Sequence, residues 1–209
     1  TKTMCGGILT IIEQLKVKKI IIGKQFESSE NYSKFIEIVR ENKIVINIVE
    51  AGQKIQIEKN CHLDVLWPNS KNKISENILN NNSVVCKLIY KNFSVLFTGD
   101  IEKIAEDEIL KLYKNNQGKL KSTILKVGHH GSKTSTSEEF LKVVSPEIAL
   151  IGVGENNNFG HPNEDVIGRL TKNKISIYRT DKNGEIILKI NKCIKITNMV
   201  NNKTKEKSW

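Results

Sequence analysis

Leu125-Lys126-Val127-Gly128-His129-His130-Gly131-Ser132-Lys133-Thr134-Ser135-Thr136 is the stretch on which the reading of this 209-residue chain turns. An apolar strand pattern beginning at Thr123 runs into it, and two histidines follow at once between glycines. Neutral imidazoles and carboxylates suit zinc, manganese or iron, and a neighbouring glycine lets the backbone come close to an ion or a phosphate. Two further motifs, Thr98-Gly99-Asp100 and Gly160-His161-Pro162, likewise stand at or just beyond predicted strands. In α/β folds the loops beyond the carboxyl ends of strands face a common edge, so residues distant in sequence meet there. Asp100, one of His129 and His130, and His161 are therefore expected within reach of one ion. The plain alternative for Asp100 is a turn or helix cap. Three of the four histidines lie in these loops, whereas His62 falls inside a strand pattern and reads as an edge or core residue. Ser132 and Lys133, with Thr134, are candidates to bind phosphate, against the alternative of a solvated polar loop.

Outward from these motifs, short apolar strands alternate with amphipathic stretches, the mark of an α/β domain. Ile8, Leu9, Ile11, Ile12 and Leu15 have helical spacing, and Ile20-Ile21-Ile22 reads as a buried strand. Ser29 caps a second helix carrying Tyr32, Phe35, Ile36 and Val39, and a strand follows over 44–49. Strand pairs are expected over 54–66 and 84–97, the second turning at Lys91-Asn92, with residues 70–82 as a loop between them. A helix after Asp100 carries Ile101, Ile104, Ala105, Ile109 and Leu112, and another starts near Ser137 behind a capping box of Ser135 with Glu138 or Thr136 with Glu139. Strand 148–153 and a helix capped by Asn163 come next. Strands 175–178 and 185–190, around the turn Asp181-Lys182-Asn183-Gly184, close the ordered part. Residues 1–190 are thus read as one domain, and 191–209 as a polar tail without pattern whose end, Asn201 to Ser208, is frayed.

No stretch approaches the roughly 20 apolar residues needed to span a bilayer, so no membrane-spanning segment is expected. Thr1 to Thr10 lack the pattern of a secretion signal, which would lie outside this chain. Cys5, Cys61, Cys86 and Cys193 form no zinc-ribbon pattern. The formal charge of +10 attracts polyanions, DNA among them, or else reflects a Lys- and Asn-rich composition with solvated faces.

Taken in order and at these separations, the motifs resemble the metallo-β-lactamase domain of ComEC-type DNA-uptake (competence) proteins. The matching segments are Leu96-Phe97-Thr98-Gly99-Asp100, residues 125–136, Asn157-Asn158-Phe159-Gly160-His161-Pro162, and Tyr178-Arg179-Thr180-Asp181 with Gly184. The resemblance runs from Gly6-Gly7 to about Ile190 and implies an α/β fold, a metallo-β-lactamase-like αββα sandwich. It further implies a site for divalent metal, zinc or manganese, serving hydrolysis of a phosphodiester. Carried over, Asp100, His129 and His161 are the metal ligands, and His130 is the catalytic residue assisting proton transfer, with the roles of His129 and His130 open to exchange. The family also places a His-x-Asp-x-Asp-His motif directly before x-Gly-Gly, where this sequence has Thr1, Thr3 and Met4 at the second, third and last of those side chains. The chain is accordingly read as a domain whose N-terminal portion is missing, which by itself does not hydrolyse. The alternative is a non-catalytic basic nucleic-acid-binding or scaffolding module of the same fold. Loss of the preceding strands would leave an open sheet edge that favours a homodimer.

Overall fold

The computed structural model describes residues 4–25, 28–71, 73–191, 193–199 and 204–207. Thr1 and Thr3 lie outside the described residues, as does the Met4 side chain. The chain opens with two helix–strand pairs: α1 (Met4–Gln14), β1 (Lys19–Ile22), α2 (Glu30–Glu41) and β2 (Val45–Ile48), with β1 and β2 parallel. Ser29 caps α2 through its hydroxyl, which accepts from the Tyr32 N–H at 3.2 Å, as the sequence predicts. Leu9 and Ile12 of α1 pack on Phe35, Ile38 and Val39 of α2, so the helical spacing of apolar residues becomes a small core of its own.

A seven-stranded sheet follows. It consists of β3 (Lys54–Glu58), β4 (Cys61–Trp67), β5 (Val85–Tyr90), β6 (Phe93–Phe97), β7 (Ile124–Lys126), β8 (Ile148–Ile151) and β9 (Ser176–Arg179), side by side in that order. The hairpin strands β3 to β6 are antiparallel, and Lys91 takes a positive φ of 53° in the β5–β6 turn. From β6 to β9 all pairs are parallel. The crossovers carry the helices α4 (Lys103–Leu112), α5 (Glu138–Val144) and α6 (Glu164–Lys172). Ile101, Ile109, Phe140, Leu141, Val166 and Leu170 bury one face of the sheet, against Leu96, Leu125, Ala149 and Ile151. On the other face Phe93, Val95, Ile124, Ile148 and Tyr178 meet Ile194 and Ile196 of a second, three-stranded sheet. Alternation along each strand explains both faces: Ile124 goes one way and Leu125 the other.

Five expectations are corrected. β9 and β10 (Ile186–Ile190) form no hairpin: a helical turn, α7 (Thr180–Asn183), moves the chain to the second sheet, where β10 pairs with β11 (Ile194–Asn198). Order therefore continues past residue 190, because Ile194 and Ile196 are apolar at alternate positions and find a buried face. β12 (Thr204–Lys207) adds to β11. Within the 70–82 loop a helical turn, α3 (Ile78–Asn81), buries Asn81, whose carbonyl accepts from the Trp67 indole N–H at 2.8 Å. The cap of α5 is Ser137, accepting from the Phe140 N–H, while Ser135 donates to the Ile101 carbonyl and Thr136 serves a buried carboxylate. Of the apolar residues assigned to the helix after Asp100, Ile101, just ahead of α4, and Ala105 and Ile109 on it are buried, whereas Ile104 and Leu112 are exposed.

Candidate functional site

Because β6, β7 and β8 are neighbours running in one direction, the loops that follow them open at one edge of the sheet. Asp100 comes three residues after the end of β6, His129 and His130 follow β7, and the long loop after β8 returns at His161. The loops are stitched together by backbone bonds. The His129 N–H donates to the Gly99 carbonyl at 3.0 Å, and the Asn163 N–H to the Gly131 carbonyl at 2.8 Å. Both histidines sit in the left-handed region, with φ of 46° and 55°. A side chain other than glycine pays about 1–2 kcal/mol for that conformation, so the neighbouring packing has to enforce it.

The four predicted residues come together. His130 Nε2 lies 3.7 Å from Asp100 Oδ1, and the His129 ring is centred 6.5 Å from His130 and 5.7 Å from His161. His130 Nδ1 is 2.6 Å from the Gly152 carbonyl oxygen, which requires Nδ1 to carry a proton and leaves Nε2 facing Asp100. His161 loses affinity for a proton through its burial, then through the charge that His129 and His130 carry when protonated, with Asp100 acting in the opposite sense. Phe159 stacks on His161 at 5.9 Å while itself 77% exposed. Asn157 braces this loop, its Oδ1 accepting from the N–H groups of Phe159 and His161.

Ser132 and Lys133 part company. The Ser132 side chain is buried, with its hydroxyl 3.0 Å from that of Thr134, whereas Lys133 is exposed. Three residues that the sequence reading passed over belong to the site. Lys126 brings a half-buried ammonium near Asp100 and donates to the Val127 carbonyl at 2.8 Å; burial lowers its proton affinity and Asp100 restores part of it. Glu102 lies 3.6 Å from His129 Nδ1. Glu106, on α4, is buried and accepts the N–H groups of Thr136 and Ser137, thereby holding the far end of the histidine loop. In sequence these look like a strand lysine and two ordinary helix acids. A cavity of about 550 Å³, lined by Gln25, Val49, Pro68, Ile74 and Leu79 among others, is lined by none of the four predicted residues.

The donors are of the kind that bind zinc or manganese, yet among the described residues no three His, Cys, Asp or Glu side chains are arranged to hold one ion. Asp100 with His130 and His129 with His161 are adjacent pairs, and these residues alone do not make a complete metal centre. Among the described residues, no helix is long and apolar enough to cross a membrane.

The chain is 37% identical over 181 residues to ComE operon protein 3 of Bacillus subtilis, a match covering 87% of this chain and 22% of that protein. The chain belongs to the ComEC family. Competence protein ComA of Neisseria gonorrhoeae is 35% identical over 123 residues, covering 59% of this chain and 17% of that protein. The ComEC-type chain thus spans about a fifth of the length of these curated relatives. No protein-family model matches it. Its fold is similar to that of a CmlA beta-hydroxylase variant, with a TM-score of 0.50 and 11% identity over 82% of this chain and 39% of the other. A Parabacteroides distasonis protein designated a metal-dependent hydrolase aligns at a TM-score of 0.48 and 12% identity, over 79% of this chain and 77% of that one. The fold class is the metallo-β-lactamase-like α/β expected from the sequence.

Proposed function

We propose that this ComEC-type domain is part of a phosphodiester hydrolase acting on DNA during uptake, with Asp100, His129, His130 and His161 as its share of a divalent metal site. The observation that carries the reading is the meeting of one carboxylate and three imidazoles from three separate loops at the end of β6, β7 and β8. Chance burial does not account for two successive left-handed histidines there. His130, fixed by the Gly152 carbonyl and adjacent to Asp100, has the geometry of a ligand; His129 and His161 form the second pair. On this reading His130 joins the ligands first assigned, Asp100, His129 and His161.

Since the described donors fall short of a three-ligand set, the 209-residue chain alone is expected not to hydrolyse DNA. Activity then depends on donors added ahead of Gly6-Gly7, in the His-x-Asp-x-Asp-His pattern of the family. The test is plasmid nicking with added manganese or zinc, comparing the chain with a version so extended. A second reading, a non-catalytic basic module that binds DNA, draws on the same shortage of donors and on the charge of +10. An extended protein that binds DNA and leaves it intact would favour that reading.

A further inference from the structure

Glu102 stands just after Asp100, at the start of α4, and no feature of the sequence marks it out. In the fold it is a hub. Its Oε2 accepts from the side-chain amides of Asn77 at 2.8 Å and Asn81 at 3.2 Å, and its backbone N–H donates to Asn81 Oδ1 at 2.9 Å. Its other oxygen, Oε1, accepts from the Thr134 hydroxyl at 3.1 Å and lies 3.6 Å from His129 Nδ1. That ring nitrogen is buried and has no hydrogen-bond partner, since 3.6 Å is too long for one. A buried nitrogen without a partner costs about 1–3 kcal/mol, and the nearest carboxylate is already clamped by three donors and cannot turn away.

We propose that Glu102 is a positioning residue that holds the proton of His129 on Nδ1 and so leaves the Nε2 lone pair free for an ion or substrate. The carboxylate has no proton to give, so it favours a donor opposite it, and a small closure of the 3.6 Å gap makes the bond. Histidine ligands commonly place their second nitrogen against a carboxylate or a backbone carbonyl, which fixes tautomer and ring orientation. His130 already has the carbonyl arrangement through Gly152, and Glu102 supplies the carboxylate arrangement for His129. The inference rests on the proposed function only for what the free Nε2 is used for.

Glu102→Gln gives an opposite expectation. The two asparagine amides keep the Gln carbonyl at the Oε2 position, so its NH2 takes the Oε1 position and donates toward His129 Nδ1. The tautomer should then reverse, with the proton on Nε2. Long-range proton–nitrogen NMR at neutral pH reads this directly, the His129 signals being those lost in His129→Asn. In the wild-type chain we expect Nδ1 protonated and Nε2 bare, and in Glu102→Gln the reverse. A wild-type His129 with its proton on Nε2 overturns the proposal without any variant, as does a Glu102→Gln spectrum unchanged from wild type. Thr134→Val, which removes a donor to the same oxygen but keeps the carboxylate, should leave the wild-type tautomer in place; its loss there would also overturn the proposal. Zinc titrated alone into both proteins gives an independent reading, with binding expected to weaken roughly 10- to 100-fold in Glu102→Gln. If the wild-type chain takes up no zinc, as its incomplete donor set allows, the tautomer alone decides the role of Glu102.

Discussion

Glu106 ties the far end of the histidine loop to α4. Its buried carboxylate accepts the Thr136 and Ser137 N–H groups, and Thr136 itself is left-handed, with φ of 58°. Glu106→Ala would leave both N–H groups buried without partners, so it should destabilise the chain by about 3 kcal/mol in urea unfolding. A loss under about 1 kcal/mol would mean that water replaces the carboxylate easily. His161 gives a prediction in pH. Burial and the neighbouring histidines lower its proton affinity below the usual 6.5, with Asp100 opposing. A base held neutral by the fold favours folding at higher pH: its contribution is present above 6.5 and is lost as the pH falls through the lower folded value. NMR titration of the metal-free chain should give His161 a midpoint below the usual 6.5, and His161→Phe should flatten the acid side of the stability curve.

Gly131 shows how tightly the elements meet at this edge. It has φ of +82°, and an added Cβ would come within 2.6 Å of the Pro162 Cβ. Gly131→Ala combines left-handed strain with overlap against the loop before α6, and should cost about 2–4 kcal/mol. Thermal unfolding beside Gly118→Ala, where a Cβ meets nothing within 4 Å, measures this. Much of the element order was legible because the signals were local: Ser29 and Asn163 as caps, Lys91-Asn92 as a turn, the period of α1 and α2. The meeting of the three motifs was legible too, since it needs only parallel neighbours with loops at their carboxyl ends. Partner choice was not. Nothing local in Ile186 to Ile190 says that β10 leaves the sheet of β9, and Ile194 and Ile196 read as tail until a buried face opposes them. Glu102 escaped for the same reason, its partners Asn77, Asn81 and Thr134 lying 21 to 32 residues away in sequence.

At the scale of the whole molecule, the charge of +10 and the loop edge belong to one account. If DNA is the substrate, binding should be independent of sequence and should weaken steeply with salt, as neutralised phosphates release their counterions. Fluorescence anisotropy with a labelled oligonucleotide at low and moderate salt tests this, and binding indifferent to salt would point to a specific pocket instead. Exposed Ile8 and Ile11 on α1 and Leu15 just after it, with Val45 and Ile48 on β2, leave apolar surface on the N-terminal unit. The chain extended ahead of Gly6-Gly7 should therefore differ from the shorter one in stability as well as activity. The central claim is that Asp100 and the three histidines are a share of a hydrolytic metal site, incomplete in the described residues. It is tested most directly by plasmid nicking with manganese, run on the 209-residue chain, on an extended chain in which the His-x-Asp-x-Asp-His segment replaces Thr1, Thr3 and Met4 in register, and on that extension carrying Asp100→Ala. The account predicts nicking by the extended protein alone, abolished by chelator and by the Asp100 substitution. Nicking by the 209-residue chain that chelator suppresses, or nicking by the extended protein that survives Asp100→Ala, would contradict it.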